Sequence, residues 1–467
     1  MAASSHIDRL ATQGSAQPST RSKVFKLALP AVGEQLLNTL VGMADIYLVG
    51  NLSLAAITLL GYDSAAALTA VGLGNQMTWV AMVLFMAVGV GATALVARAV
   101  GADDRRTKAR VVHQSLMLAV VVGLLAMLGG IFGAGSFLRL LNAPAESFLA
   151  ATHYMQITAA AFVPTALLLV GTALLRGAGD TRTPLLVMLG INAANIAISW
   201  LLVNGQFGLP ALGVEGAAVG TAVARGVGGI FLLGLLLRGH SGLKLAVNLR
   251  IDHDMARRLA RIGLPTGIEQ MIFQSALLIF VRFVTDQGAA SYAAHNIAIT
   301  IESLSFLPGL GYAAACSALV GQALGARDPN EAEDAALEAL WQGGLMMTLI
   351  GATMVIFPEA WIRIFVSDPE IIAAAIDPLR AAGLVQPALA VSFICLGCLR
   401  GAGDTRWPMF SRILTTWVVR LPLTVLLVSW LGLGLPGVWL AMCTDFTLQA
   451  ILSLYRFNSR RWQQIKV

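Results

Sequence analysis

Long uncharged runs set the rhythm of this chain. Residues 116–132, 167–175, 184–200 and 345–357 contain no Asp, Glu, Lys or Arg, and with their flanks several reach the roughly 20 apolar residues that a helix needs to cross a bilayer. Glycine, proline and charge break the pattern into about twelve predicted spans. They begin near residues 24, 66, 112, 150, 184 and 213, and again near 261, 291, 335, 372, 409 and 436. Composition agrees: 57% of residues are hydrophobic and only 12% charged, whereas an ordinary soluble domain carries about 25% charged residues. A mean hydropathy of +0.76 is that of a chain whose solvent is lipid.

The formal charge of +6 brings nucleic acid to mind only until its placement is read. Arg21, Lys23 and Lys26 precede the first span; Arg105, Arg106, Lys108 and Arg110 follow the second. Arg238, Lys244, Arg257, Arg258 and Arg261 crowd the middle of the chain, and Arg456, Arg460, Arg461 and Lys466 the end. The alternate connections, near 51–63, 204–213 and 432–437, hold no Lys or Arg. This asymmetry predicts a multi-pass protein of a bacterial inner membrane with both termini cytoplasmic and no nucleic-acid partner. The first twenty or so residues are polar and lack the apolar core of a cleavable signal. The cysteines, Cys316, Cys395, Cys398 and Cys443, lie in apolar stretches without a companion His or second pair, so packing is expected of them, and no metal or cofactor.

The chain repeats itself. Thr93-Ala-Leu-Val-Ala-Arg98-Ala-Val-Gly101-Ala returns as Ser317-Ala-Leu-Val-Gly-Gln322-Ala-Leu-Gly325-Ala, a shift of 224. Arg176-Gly-Ala-Gly-Asp180-Thr-Arg182-Thr-Pro184 returns as Arg400-Gly-Ala-Gly-Asp404-Thr-Arg406-Trp-Pro408 at the same shift. Leu29-Pro30-x-x-x-Glu34-Gln35 matches Leu264-Pro265-x-x-x-Glu269-Gln270 at a shift of 235, which puts eleven extra residues in the 51–63 connection. The fold expected is all-α: two pseudo-symmetric six-helix bundles in the same orientation, with a substrate path between them. The bounds are a disordered cytoplasmic tail at 1–22, bundles at 23–238 and 259–457, a cytoplasmic linker at 239–258 and a tail at 458–467. In the repeated glycine loop Asp180 and Asp404 can cap the following helix, and the arginines are expected to hold the loop at the headgroups. A phosphate-binding loop is the alternative there, although the lysine and strand of a P-loop are missing.

These paired motifs resemble the MATE (multidrug and toxin extrusion) family from about Val24 to Arg456, and Val49-Gly50 after an aspartate resembles its DinF-like bacterial branch. The resemblance implies two bundles in a V that alternate between outward and inward openings. Uptake of H⁺ or Na⁺, with H⁺ favoured, would drive export of organic cations or amphiphiles by a monomer.

Ionisable side chains inside a span default to function. Asp45 lies 19 residues past Lys26, roughly 28 Å of helix at about 1.5 Å per residue. Glu34, Asn38 and Asp45 share one helical stripe, which is expected to face a cavity. The resemblance makes Asp45 the cation-coupling carboxylate, with a helix-pairing acid hydrogen-bonded to a neighbour as the alternative. In the fifth span many family members carry Asn-x-x-x-Asp; here the segment reads Asn195-Ile-Ala-Ile-Ser199, so Asp45 stands without a second acid and with Asn192, Asn195 and Ser199 as helpers. Further cavity or substrate candidates are Gln35, Glu269, Gln270, Gln274, His295 and Glu302, with an interhelical hydrogen bond as the alternative for Glu269 and a packed, hydrogen-bonding place as the alternative for His295. Arg420 and Asp445 are expected to pair with each other. Met77, Met82, Met86 and Met271 could line an adaptable apolar cavity.

Two other functions fit the residues less well. A flippase for a lipid-linked saccharide would need several basic residues in its central cavity, yet only Arg225, Arg282 and Arg420 fall within spans. An intramembrane enzyme would need a nucleophile paired with a base or a His-Glu-x-x-His triad, and the sequence has neither.

Overall fold

The computed structural model describes residues 19–53, 57, 60, 62–245 and 252–465. The first half holds α1 (Thr20–Gly50), α2 (Ser64–Gly101), α3 (Arg105–Leu140), α4 (Ala145–Ala160), α5 (Phe162–Gly177), α6 (Arg182–Val203) and α7 (Gly213–Arg238). The second holds α8 (His253–Thr285), α9 (Ala289–Gly325), α10 (Pro329–Ile356), the short α11 (Pro358–Arg363), α12 (Pro369–Ala402), α13 (Arg406–Trp430) and α14 (Gly434–Asn458). No strand forms among the described residues.

Ten of these helices are long and apolar enough to cross a membrane, and α4 with α5, bent by 53° at their junction, makes an eleventh. The bend has a local cause: Pro164, in the first turn of α5, has no N–H to continue the ladder from α4. α1 is long enough for a twelfth, but Glu34, Gln35, Asn38 and Asp45 leave it less apolar than the others. The halves are not copies in every detail. α6 is regular, whereas α13 winds as π-helix over Ile413–Arg420 and Val425–Trp430. The connection between α1 and α2 takes residues 51–63 and that between α8 and α9 only 286–288, as the change in repeat offset predicts.

The predicted tails and linker are corrected at their edges. The tail at 1–22 falls outside the described residues up to 18, and from Thr20 it is already helix, capped by the Ser19 hydroxyl. The linker at 239–258 gives way to α8 at His253, where the Asp252 carboxylate accepts from the Met255 N–H at 3.1 Å; residues 246–251 lie outside the described set. The tail at 458–467 folds back: Arg461–Gln464 form a 3₁₀ turn, and Trp462, fully buried, stacks on Phe457 with centroids 5.6 Å apart.

The halves exchange their opening turns. Val24 and Ala28 of α1 are buried in the core of the second half, beside Tyr312, Cys316, Cys398 and Trp462. Met255, Leu259 and Ile262 of α8 are buried in the core of the first half, beside Phe85, Val111 and Leu116. Ion pairs repeat the exchange: Lys23 to Glu331 at the start of α10, 2.8 Å apart, and Arg110 of α3 to Asp252. The repeated Ala-Leu-Val segments then cross. Gly101 packs on the Gln322 carbonyl and Gly325 on the Arg98 carbonyl, so closely that a Cβ on either would collide with backbone. Arg98 bonds the Ala402 and Ile465 carbonyls at 3.1 and 3.0 Å, and Gln322 bonds the Gly177 carbonyl at 2.9 Å. These junctions gather at the basic-loop end. Toward the other end α1 turns Leu40, Met43, Ile46 and Tyr47 outward, and α8 turns out Met271, Leu278 and Ile279.

Candidate functional site

Asp45 lies five residues before the far end of α1, facing α6 and α7. Asn195 Nδ2 donates to Thr221 Oγ1 at 2.8 Å, and Thr221 Oγ1 donates to Asp45 Oδ2 at 3.4 Å. Close packing makes this chain of contacts: Gly220, next to Thr221, sits so tightly against Ser199 that no Cβ would fit, which brings the polar faces of α6 and α7 together. Arg225, one turn along α7 from Thr221, lies within electrostatic reach of Asp45 and of Tyr154. The Tyr154 hydroxyl in turn bonds Asn75 Oδ1 at 3.2 Å.

Four buried atoms in this cluster make no hydrogen bond of good geometry, Asp45 Oδ1, Asn195 Oδ1, Ser199 Oγ and Asn192 Nδ2, although the side chains of Ser199 and Asn195 lie within reach of the Asp45 carboxylate. Buried polar atoms left unpaired are costly, so this cluster is sensitive to the protonation of its carboxylate. Three of the four are oxygens, one of them on a carboxylate. The carboxylate and amide oxygens can take a proton or a small cation, while the Asn192 amide and the Ser199 hydroxyl are able to donate.

The second half has its own buried polar cluster. Glu302 of α9 is 1% exposed and its Oε1 is unpartnered. Arg420, carried inward on the π-helical stretch of α13, stands 3.6 Å from Asp445 and lies over the Phe280 ring at 3.8 Å. The expected Arg420–Asp445 pair is therefore formed, with Thr416 Oγ1 donating to the same Asp445 oxygen at 3.4 Å. Gln386 donates to Ser305 Oγ at 2.6 Å, and Ser305 to the Glu302 carbonyl at 2.5 Å. His295 is buried between Phe280 and Trp439, with centroids 6.2 and 5.6 Å away, rather than open to a cavity.

The predicted polar stripe on α1 divides. Glu34 does not share a cavity with Asp45; it is buried against Arg176, with Nη1 2.6 Å from Oε1. Glu269 does the same with Arg400, whose Nη2 is 2.9 and 3.0 Å from its two oxygens. The first arginine of each glycine loop thus turns inward to a carboxylate instead of outward to headgroups. Asp180 accepts from the Thr183 N–H at 2.9 Å, as a capping residue should, but Asp404 is taken by Arg456 at 2.7 Å. Gln35 and Gln274 are half-buried and Asn38 is exposed. Gln270 reaches Met86 Sδ at 4.0 Å across the halves. Met86 and Met271 are exposed, whereas Met77 and Met82 pack against the first core. All four cysteines are free.

Sequence reasoning missed Thr221 and Tyr154 near Asp45, Asn75 behind Tyr154, and Arg176 and Arg400 as partners of glutamates. Thr221 had one trace, its place beside a glycine in a small-residue run of α7.

Two tandem helical halves with a buried carboxylate cluster in each define a multi-pass membrane transporter rather than an enzyme. The MatE family model matches residues 30–201 and again 265–426. The probable multidrug resistance protein NorM of Thermotoga maritima is 35% identical over 460 residues, covering 96% of this chain and 94% of its own. The multidrug resistance protein NorM of Burkholderia vietnamiensis is 27% identical, covering 96% of each. Among solved structures, an outward-facing multidrug resistance MATE transporter of the MOP superfamily superposes with a TM-score of 0.85 at 23% identity over 95% of this chain and 97% of that one. A MOP superfamily transporter from Pyrococcus furiosus superposes at 0.86 with 22% identity, over 94% and 96% of the two chains. The chain belongs to the MatE family.

Proposed function

We propose that the protein is a secondary active multidrug exporter that exchanges H⁺ for cationic or amphipathic organic compounds by alternating access, with Asp45 as the coupling carboxylate. It would work as a monomer in a bacterial inner membrane, both termini and the basic loops in the cytoplasm. The observation that carries the reading is the buried Asp45 Oδ1, which makes no hydrogen bond of good geometry, beside Asn195 Oδ1 and Ser199 Oγ in the same condition. Protonation of Asp45 lets its carboxyl donate within the cluster, and loss of the proton restores an anion able to compete for a cationic compound. The multidrug resistance names of the relatives support export as the direction.

The arginines within spans favour cationic over pyrophosphate-bearing cargo. Arg225 is engaged near Asp45, Arg420 is held by Asp445, and Arg282 is exposed near the end of α8, so they do not converge on one anion site. The junctions at the basic-loop end, with the glycine crossing at their centre, support a molecule closed on the cytoplasmic side. One proton moving down 100 mV releases about 2.3 kcal/mol, but a one-for-one exchange for a monovalent cation moves no net charge, so the pH gradient is then the drive, at about 1.4 kcal/mol for each tenfold accumulation.

The test is export of a cationic fluorescent dye from vesicles under an imposed pH gradient or an imposed Na⁺ gradient, wild type against Asp45→Asn. Export driven by the pH gradient and lost in the variant is expected. Undiminished export by a well-expressed Asp45→Asn protein would remove Asp45 from the coupling role, and drive by Na⁺ alone would replace the ion.

A further inference from the structure

The two glycine loops differ in what covers them. In the first half Asp180 is enclosed, accepting from Ser241 Oγ at 2.5 Å and standing 3.1 Å from His240 of the turn after α7. In the second half the loop at 403–406 forms one wall of an open cavity of about 1410 Å³, with the first turns of α8 opposite it and the end of α14 beside it.

The lining is strongly basic. Five arginines face two aspartates there. Arg456 is taken by Asp404 and Arg258 by Asp254. Arg257, Arg261 and Arg406 remain exposed and have no ion-pair partner among the described residues. Arg257 and Arg261 lie four apart on α8, hence on one face, and Arg406 approaches from the start of α13. Such a set of unpaired guanidiniums fits the oxygens of a phosphate, which arginine binds with paired N–H donors.

The cavity is also amphipathic in the right order. Leu264 is 62% exposed and follows Arg261 by about one turn; Phe410 is 58% exposed and follows Arg406 by about one turn. Both helices run from these residues into the membrane, so the apolar side chains stand deeper than the charges. Trp407 lies between, its ring under the Arg456 guanidinium at 5.3 Å. A basic pocket at the headgroup level with an apolar continuation suits an acidic lipid.

We propose that this cavity binds the phosphate headgroup of an anionic phospholipid, clamping α8 to the glycine loop of the second half. Because α8 begins in the core of the first half, the lipid would strengthen the junction between the halves.

The test uses the full-length protein in detergent, with lipid adducts followed by native mass spectrometry and by unfolding temperature. The probes are phosphatidylglycerol, phosphatidylcholine and inorganic phosphate. Phosphatidylglycerol should bind and raise the unfolding temperature, and phosphatidylcholine should not. The triple variant Arg257→Gln, Arg261→Gln, Arg406→Gln should weaken that binding by at least about tenfold. Arg406→Gln alone, a single exposed change that leaves the fold intact, should show a partial loss. Arg105→Gln with Arg106→Gln, at the other basic loop, should bind like wild type. Unchanged binding by the Arg406→Gln and triple variants, or an equal loss in the Arg105, Arg106 variant, would overturn the site. Full protection by inorganic phosphate, with nothing added by phosphatidylglycerol, would overturn the lipid and leave a soluble phosphate compound as its occupant.

Discussion

Arg400 holds both carboxylate oxygens of Glu269, at 2.9 and 3.0 Å, across 131 residues of chain. The first half repeats the pair as Arg176 and Glu34 at 2.6 Å. Each joins the first helix of a half, four residues past its internal proline, to the glycine loop that ends the fourth span. Both carboxylates are almost wholly buried, so removing one charge strands the other. Glu269→Gln should lower unfolding stability by about 3–5 kcal/mol, and Glu269→Gln with Arg400→Gln by less than the sum of the two single changes. Thermal or denaturant unfolding in detergent reads both; strict additivity would show that the pair is not coupled.

Thr221 is the residue through which Asn195 reaches Asp45. Thr221→Val keeps the shape and removes the hydroxyl. A hydrogen bond to a charged group contributes about 1.5–3 kcal/mol, so dye export should fall roughly tenfold or more. The protein should still be expressed, with an unfolding temperature lowered by no more than the loss of this one bond accounts for. Normal export by the valine variant would show that Asp45 works without this partner.

The glycine crossing sets how closely the halves can meet. Gly101→Ala or Gly325→Ala drives a methyl group into the Gln322 or Arg98 carbonyl. Overpacking of this kind costs typically about 1–3 kcal/mol. Spin labels on α3 and α10 near the basic loops should report a wider separation in either variant. An unaltered distance would mean that the junction yields elsewhere.

Asp180, in the connection between α5 and α6, offers a pH test outside the spans. Burial pushes its carboxyl up, but hydrogen bonds from the Ser241 hydroxyl and from the Thr183 N–H and hydroxyl outweigh it and hold the group below its ordinary 3.8. A carboxyl depressed in the folded state stabilises above its unfolded value and loses that contribution as pH falls through the folded one. Amide-exchange protection of the turn at 239–244 should therefore drop as pH is lowered from about 5 to about 3. Asp180→Asn should have low protection across the whole range; an acid-sensitive loss that survives in the variant would trace to another group.

Much of this was legible without coordinates because it is local or periodic. Twenty-residue apolar runs have to become spanning helices, since lipid offers no partner for an open backbone. Two motifs at one offset of 224 have to be repeats, and an aspartate in a span has to be accounted for. Glu34 and Glu269 could likewise be marked from the sequence as polar groups within spans, with a cavity as their expected surroundings.

What each buried charge meets was not legible. Glu34 and Asp45 lie on one stripe of α1, and helical spacing treats them alike. Only the packing sends Glu34 to Arg176 and leaves Asp45 with Thr221 and one oxygen without a well-formed hydrogen bond. The arginines of the glycine loops could turn to headgroups or inward, and the desolvated carboxylates of the opening helices decided the matter. The exchange of Val24 and Ala28 for Met255 and Leu259 between the two cores has no trace in the pattern either. Hydropathy fixes how deep a residue lies along its own helix, whereas its neighbour on another helix depends on how the helices pack, which is settled only when all their small and large faces are fitted together.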